Sequence, residues 1–141
     1  MLPFVCPLVM CLALAMAGPA TALGDDIVII VNRDNVNAVN IAFVQRVYLG
    51  ALKGWPDGTS VLVLDQPEGS DARENFCNTV LKKSVTNVKA IWSQNIFTGK
   101  GLPPKITTPD EAVKQAVAAN VGAIGYIRAS QLDATVKAIG R

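Results

Sequence analysis

The sequence predicts an α/β fold, a three-layer sandwich in which helices cover both faces of a small sheet. Three observations predict it: continuous apolar segments, capped amphipathic segments, and the alternation of these two along the chain. An apolar segment without polar alternation is typical of a strand that is buried on both faces. When such strands alternate with helices, a sheet between two helical layers is the favoured architecture.

The predicted strands are short and rich in valine, isoleucine and leucine. They cover residues 26–31, 60–65 and 123–127, and a last short strand covers residues 135–139. We expect the first three to share one sheet, with helices over residues 41–49 and 111–119 packed against it.

The predicted helices have recognisable ends. Asn40 is suited to cap the helix over residues 41–49, and Gly50 is the expected stop. Ser70 opens a helix that extends to about residue 81, and Ser84 caps one over residues 85–97.

The last predicted helix has the sharpest start signal. Thr108 is its expected N-cap, Pro109 its first residue and Glu111 its third, the arrangement of a capping box. The preceding segment, which contains GKG at residues 99–101 and two prolines, is predicted to be an irregular loop.

Composition argues against catalysis, metal binding and nucleic-acid binding. The 141 residues include no histidine, and the net charge is only +2. Histidine is the commonest general base and metal ligand, and nucleic-acid binding needs a clustered basic surface. The neighbouring carboxylates at residues 25–26 and 110–111 lack a third oxygen-rich segment for calcium, and capping explains the second pair. We therefore expect a protein that is not an enzyme and uses no metal or cofactor.

The first 22 residues have the features of a signal peptide. Residues 1–24 carry no charged side chain, residues 8–17 form a short apolar run, and ATA at residues 20–22 is a cleavage signal. The apolar run is too short to span a bilayer, which takes about 20 residues. The sequence thus predicts a signal peptide over residues 1–22 and a periplasmic or secreted domain over residues 23–141, with a retained membrane anchor as the alternative. Cys77 is then the last cysteine left, and we expect it in the core.

Four motifs, in order, resemble one lobe of phosphate-binding proteins from ABC importers. They are VYLG at residues 47–50 with GWPDG at 54–58, EGS at 68–70, GKG at 99–101, and GAIGY at 122–126. The chain is similar to small proteins of the phosphate ABC transporter substrate-binding family. This resemblance implies a single lobe of a type II periplasmic-binding-protein-like fold.

The resemblance also implies an oxyanion site where the second predicted strand meets its helix. The family uses Gly-Ser-Gly-Thr there, with an arginine upstream. Gly69 and Ser70 match, whereas Asp71 replaces glycine and Gln66 stands in place of the arginine. Ser70 is interpreted as an N-cap or as a ligand contact. Arg73 could supply the missing charge as a ligand residue, or it could be a solvated surface residue.

Two functions follow as hypotheses. The first is an exported, monomeric substrate-binding-protein-like domain that binds phosphate or a similar oxyanion weakly, because Asp71 competes for the positive end of the helix. The alternative is a ligand-free module that docks onto a membrane transporter or sensor.

The export hypothesis predicts that the mature protein begins at Leu23. Mass spectrometry of periplasmic or secreted material should give the mass of residues 23–141. Recovery of the full-length chain from a membrane fraction would show instead that the apolar segment is an anchor.

Overall fold

The computed structural model describes residues 26–139, which form one mixed sheet between two helical layers. The predicted signal peptide lies outside the described residues. The strands are β1 (Ile27–Asn32), β2 (Leu62–Asp65), β3 (Lys105–Ile106), β4 (Ala123–Arg128) and β5 (Val136–Ala138). Their order across the sheet is β3-β2-β4-β1-β5. β2 is parallel to β3 and β4, and β1 is antiparallel to β4 and β5.

In the described part of the chain, four helices flank the sheet: α1 (Ile41–Tyr48), α2 (Asp71–Phe76), α3 (Val85–Phe97) and α4 (Asp110–Ala119). A π-helical turn, Cys77–Leu81, continues α2, and a 3-10 turn, Ala129–Gln131, follows β4. Among residues 26–139 no helix is both long and apolar enough to cross a membrane.

Each face of the sheet has its own core. One core joins the sheet to α4 alone and is built around Ile30, Leu64, Val113, Val117 and Ile127. The other joins the opposite face to α1, α2 and α3, with Val44, Tyr48, Phe76, Val88 and Tyr126 among its buried residues. Successive strand residues point to opposite faces, so strands packed on both sides must be apolar throughout. The predicted three-layer sandwich is confirmed, and Cys77 lies in the second core as expected.

β3 was not predicted, because the segment before α4 reads as an irregular loop. The strand has only two residues, Lys105 and Ile106, and both are exposed, so it leaves no apolar pattern. It is defined by its pairing with β2, and the Thr107 N–H extends that pairing by donating to the Asp65 carbonyl at 2.8 Å.

The predicted capping box at the start of α4 is wrong. The helix begins at Asp110, and Pro109 takes the N-cap position with an extended backbone (φ −77°, ψ −171°) and no side-chain cap hydrogen bond. Thr108 therefore lies one residue too early to cap the helix. Asp110 is buried and bonds elsewhere in the protein, as described below.

Gly50 forms the junction between α1 and α3. Its φ of +82° lies in the left-handed region. A Cβ built there would lie 2.8 Å from Asn95 Nδ2 and 3.1 Å from Trp92 Cη2. Both side chains bond the end of α1: Trp92 Nε1 donates to the Tyr48 carbonyl at 2.9 Å, and Asn95 Nδ2 donates to the Leu49 carbonyl at 3.0 Å. Glycine is thus required both by the backbone conformation and by the close approach of α3.

We predict that Gly50→Ala destabilises the protein more than Gly58→Ala. Both glycines have positive φ, +82° and +90°, but a Cβ at Gly58 would meet nothing within 4 Å. Each substitution should cost about 1–2 kcal/mol for the left-handed backbone. Gly50→Ala should cost about 1–3 kcal/mol more, because α3 must shift. Urea unfolding followed by circular dichroism measures the difference, and equal losses would show that α3 is not packed against Gly50.

Candidate functional site

The carboxyl ends of β2, β3 and β4 meet at one edge of the sheet, here called the C-terminal edge. These three strands are parallel, so the residues that follow them lie together. Ligands of open α/β sheets bind at such edges. Asp65 ends β2 and Arg128 ends β4 at this edge. Gln66 follows β2, Thr107 follows β3, and the 67–70 loop leads from the edge into α2.

A buried carboxylate lies at the centre of the C-terminal edge. Asp65 is only 6% exposed. Its Oδ1 accepts hydrogen bonds from the Tyr126 hydroxyl at 2.5 Å and from the Gln66 N–H at 2.8 Å, and its Oδ2 lies 3.5 Å from Arg73 Nη1. Burial raises the pKa of Asp65, while the Tyr126 hydrogen bond, the Arg73 charge and the Gln66 N–H oppose that rise. The carboxylate joins β2, β4 and α2 at one point.

Two buried tyrosines support this carboxylate. Burial and then the Asp65 charge raise the pKa of both Tyr48 and Tyr126, so both hydroxyls keep their protons and act as donors. Tyr48 donates to the Leu64 carbonyl at 2.7 Å. The Tyr126 ring stacks on Phe76 with 4.0 Å between ring centroids. The tyrosine hydroxyls are therefore structural donors that fix the end of β2.

Gln66 bonds inward rather than toward solvent. Its Nε2 donates to the Tyr126 carbonyl at 2.9 Å and to Asp110 Oδ1 at 3.1 Å, and the other Asp110 oxygen accepts from the Arg128 N–H at 3.1 Å. Gln66 and Asp110 thus connect β2, β4 and α4. Asp110 therefore bonds within this network, and its side chain does not cap α4 as the sequence suggested.

Gly69, which is exposed, and Ser70, which is half-buried, form the rim of the edge. Gly69 has a φ of +83°, and no atom of residues 26–139 lies within 4 Å of a Cβ built there. Ser70 Oγ accepts a hydrogen bond from the Arg73 N–H at 3.2 Å, so Ser70 is the N-cap of α2. Capping uses Ser70 as an acceptor, and its hydroxyl proton stays available for a further bond. Asp71, the first residue of α2, is exposed.

Arg73 lies inside the protein, beneath that rim. It is 6% exposed, and its Nη1 donates to the Gln66 carbonyl at 3.1 Å in addition to pairing with Asp65. The interpretation of Arg73 as a solvated surface residue is therefore wrong. Two buried polar atoms near the end of β2 lack a hydrogen-bond partner within residues 26–139: Arg73 Nε and Thr107 Oγ1. Buried polar atoms are nearly always bonded, so an unpaired one calls for an unseen water, ion or ligand.

Comparisons with known proteins show what this fold resembles. No family model matches the sequence, and no curated protein matches it. Three solved structures match in fold over 80% of this chain. The described residues have the fold of one part of phosphate ABC transporter substrate-binding proteins. Because the sequence identities are 20% or less, these similarities concern the fold alone.

The first similar structure comes from Clostridium perfringens and is classed as a phosphate ABC transporter substrate-binding protein with bound phosphate; its TM-score is 0.64 at 20% identity. The second is an ABC-type phosphate transport receptor from Vibrio cholerae, with a TM-score of 0.61 at 20% identity. The third is classed as a candidate phosphate-binding protein from Planctomyces limnophilus, with a TM-score of 0.54 at 15% identity. The matched region spans 43%, 44% and 40% of those chains, less than half of each.

Sequence reasoning missed most of the buried network. In the sequence, Tyr126 is part of an apolar strand motif, and Asp65 is only the end of a predicted strand. One signal was present: a carboxylate and a tyrosine in otherwise apolar strands must find polar partners if they are buried. Nothing local indicated that Arg73 and Asp65 pair with each other.

We predict that Asp65 and Asp133 change the pH dependence of stability in opposite directions. The pKa of Asp65 is raised above 3.8, so its contribution to stability is complete below that pH and is lost as pH rises through the folded pKa. Hydrogen bonds from Lys114 and Thr135 lower the pKa of Asp133. Its contribution is present above pH 3.8 and is lost as pH falls through the folded pKa.

Urea unfolding across a pH series measures both effects. Asp65→Asn should reduce the loss of unfolding free energy above pH 3.8, and Asp133→Asn should reduce the loss below it. If Asp65→Asn does not change the loss of unfolding free energy above pH 3.8, burial does not raise the pKa of Asp65. Carbon-13 NMR titration of the two carboxyl groups gives an independent value for each.

Proposed function

We propose that this protein is an exported, non-enzymatic binding domain related to the substrate-binding components of phosphate ABC importers. It acts in the periplasm or outside the cell and binds phosphate or a similar oxyanion weakly. The observation that supports this most is the buried Arg73 in the first turn of α2, whose Nε has no partner among the described residues. A fold shared with proteins that include a phosphate-bound structure supports the same ligand class.

Gly69, Ser70 and Arg73 are the proposed ligand residues. Gly69 lacks a side chain at the rim, so an anion can approach the backbone closely. The Ser70 hydroxyl can donate to an anion while its oxygen still caps α2. The first N–H groups of a helix have no partner within it, and the positive end of the helix dipole adds to their attraction for an anion. Arg73 supplies the positive charge below them.

Binding should be weak for two electrostatic reasons. The Arg73 guanidinium already pairs with Asp65 at 3.5 Å, which offsets much of its charge. Asp71 places a carboxylate in the first turn of α2, where it occupies the potential that an anion would use.

The Arg73–Asp65 pair also favours the second candidate function. The side chains of Arg73 and Asp65 are each 7% exposed, so the pair belongs to the core and needs no anion. In that case the domain is a ligand-free module that docks onto a membrane transporter or sensor. Ile106, at the end of β3, is 52% exposed and gives the C-terminal edge an apolar component for such a contact.

We predict that Asp71→Gly strengthens phosphate binding. Removing a carboxylate from the first helical turn relieves about 0.3–1 kcal/mol of repulsion, which corresponds to about a two- to fivefold lower dissociation constant. The variant should also be slightly less stable, since glycine is a poor helix former and the dipole loses its partner. Isothermal titration calorimetry with inorganic phosphate measures the affinity.

Asp34→Gly is the matched control, because it removes the same side chain from an exposed position beyond the opposite end of the sheet. It should leave phosphate affinity unchanged. If phosphate binding is undetectable in the native protein and in Asp71→Gly, the oxyanion function is wrong and the docking function takes its place. If phosphate affinity rises equally in both variants, the gain comes from the change in net charge and not from the position of Asp71.

A further inference from the structure

An apolar groove of about 440 Å³ lies away from the C-terminal edge. It is bounded by the end of α1, by α3, by residues 60–63 at the start of β2, and by the loop that leads into β3. Its apolar lining includes Leu52, Val61, Val63, Trp92 and Leu102. The oxyanion edge follows Asp65, at the other end of β2, so the groove is a separate surface.

Three lysines line this groove: Lys53, Lys100 and Lys105. None has an ion-pair partner among residues 26–139, whereas Lys89 and Lys114 both do. Within the part of the chain that the structure describes, no aspartate or glutamate lines the groove. Lys53 lies close against the loop, since a Cβ on Gly101 would meet its Cε and Nζ at 3.3 Å each. The groove therefore combines an apolar surface with uncompensated positive charge.

The floor of the groove is held in place by hydrogen bonds. Trp92 donates its indole N–H to the Tyr48 carbonyl, and Asn95 fixes the same helix to the Leu49 carbonyl. The Val61 N–H donates to the Lys53 carbonyl at 3.0 Å, and the Lys100 N–H donates to the Asn95 carbonyl at 2.8 Å. These bonds position the backbone of two of the lysines relative to the apolar floor without any ligand.

We propose that this groove binds a small amphiphilic carboxylate, with its apolar chain or ring on the floor and its carboxylate at the lysines. Small-molecule sites typically have volumes of about 300–1,000 Å³, a mostly apolar lining and a few polar groups that fix orientation. The positive charge of the three lysines complements one anionic head, and Trp92 adds an aromatic ring to the lining that an apolar body can contact. Inorganic phosphate would use only the lysines and would leave the apolar surface exposed to water.

The test uses decanoate as the probe, with decanol as its uncharged counterpart. Decanoate, below its micelle concentration, should change Trp92 fluorescence and shift the amide resonances of the groove in nitrogen-15 NMR spectra. The triple variant Lys53→Gln, Lys100→Gln, Lys105→Gln should weaken decanoate binding about tenfold, because three exposed charge interactions are lost. The native protein should bind decanol more weakly than decanoate, and the triple variant should bind decanol with the same affinity as the native protein.

A second triple variant, Lys82→Gln, Lys83→Gln, Lys89→Gln, is the charge-matched control. It removes three exposed lysines outside the groove and should leave decanoate binding intact. Circular dichroism establishes that both variants are folded. If either triple variant is unfolded, the single lysine substitutions replace it.

Three results would overturn the proposal: no shifts at the groove, equal affinity for decanoate and decanol, or equal losses in the two triple variants. Binding only of acidic peptides, with none of decanoate, would also overturn it and indicate a protein partner. Asp71→Gly should not alter decanoate binding, so this test and the phosphate test can fail separately.

Discussion

The buried carboxylate of Asp65 is the group on which the architecture of the C-terminal edge depends. A charge this deep is tolerated only with partners, and the fold supplies them from three elements: Gln66 at the end of β2, Tyr126 on β4 and Arg73 on α2. Removing one member of a buried ion pair typically costs about 3–5 kcal/mol, because the other charge stays behind. The position of α2 relative to the sheet follows from these bonds, and so does the position of the 67–70 loop above them.

The same pairing limits what the edge can bind. A guanidinium that stabilises an internal carboxylate attracts an external anion less strongly, since its charge is already partly offset. Asp71 reduces that attraction further. Arg73 nevertheless keeps one buried N–H without a partner among residues 26–139, and Ser70 keeps a hydroxyl proton free of its capping bond. The edge therefore has the hydrogen-bond donors of an anion site but little net positive charge. For this reason we propose that it binds an anion weakly.

The groove differs from the C-terminal edge in its charge and in its lining. Its lysines have no internal partners within the described chain, and its floor is apolar rather than polar. The two surfaces lie at opposite ends of β2, a strand of four residues, Leu62–Asp65, with the groove at its start and the polar edge at its end. Hydrogen bonds between α1 and α3 form the groove, whereas the Asp65 network forms the edge. Because they share no side chain, a change in one should leave the other intact.

The sequence by itself determined the elements whose signals are local. Apolar runs specified β1, β2 and β4, since a strand covered on both faces must be apolar throughout. Ser84 specified the start of α3, and Ser70 that of α2, because a cap is a contact between residues three positions apart. The order of four motifs also indicated the resemblance to one lobe of phosphate-binding proteins, and the fold confirms it.

Only the tertiary structure decided the rest. β3 exists because β2 offers a free edge, and two exposed residues carry no pattern of their own. Asp110 resembled a capping residue in sequence, yet it bonds Gln66, 44 positions away. Arg73 resembled a surface cation, yet it neutralises Asp65 in the interior. Each of these depends on contacts between segments far apart in the chain, and the energy of burying a charge is set by partners that local sequence does not reveal.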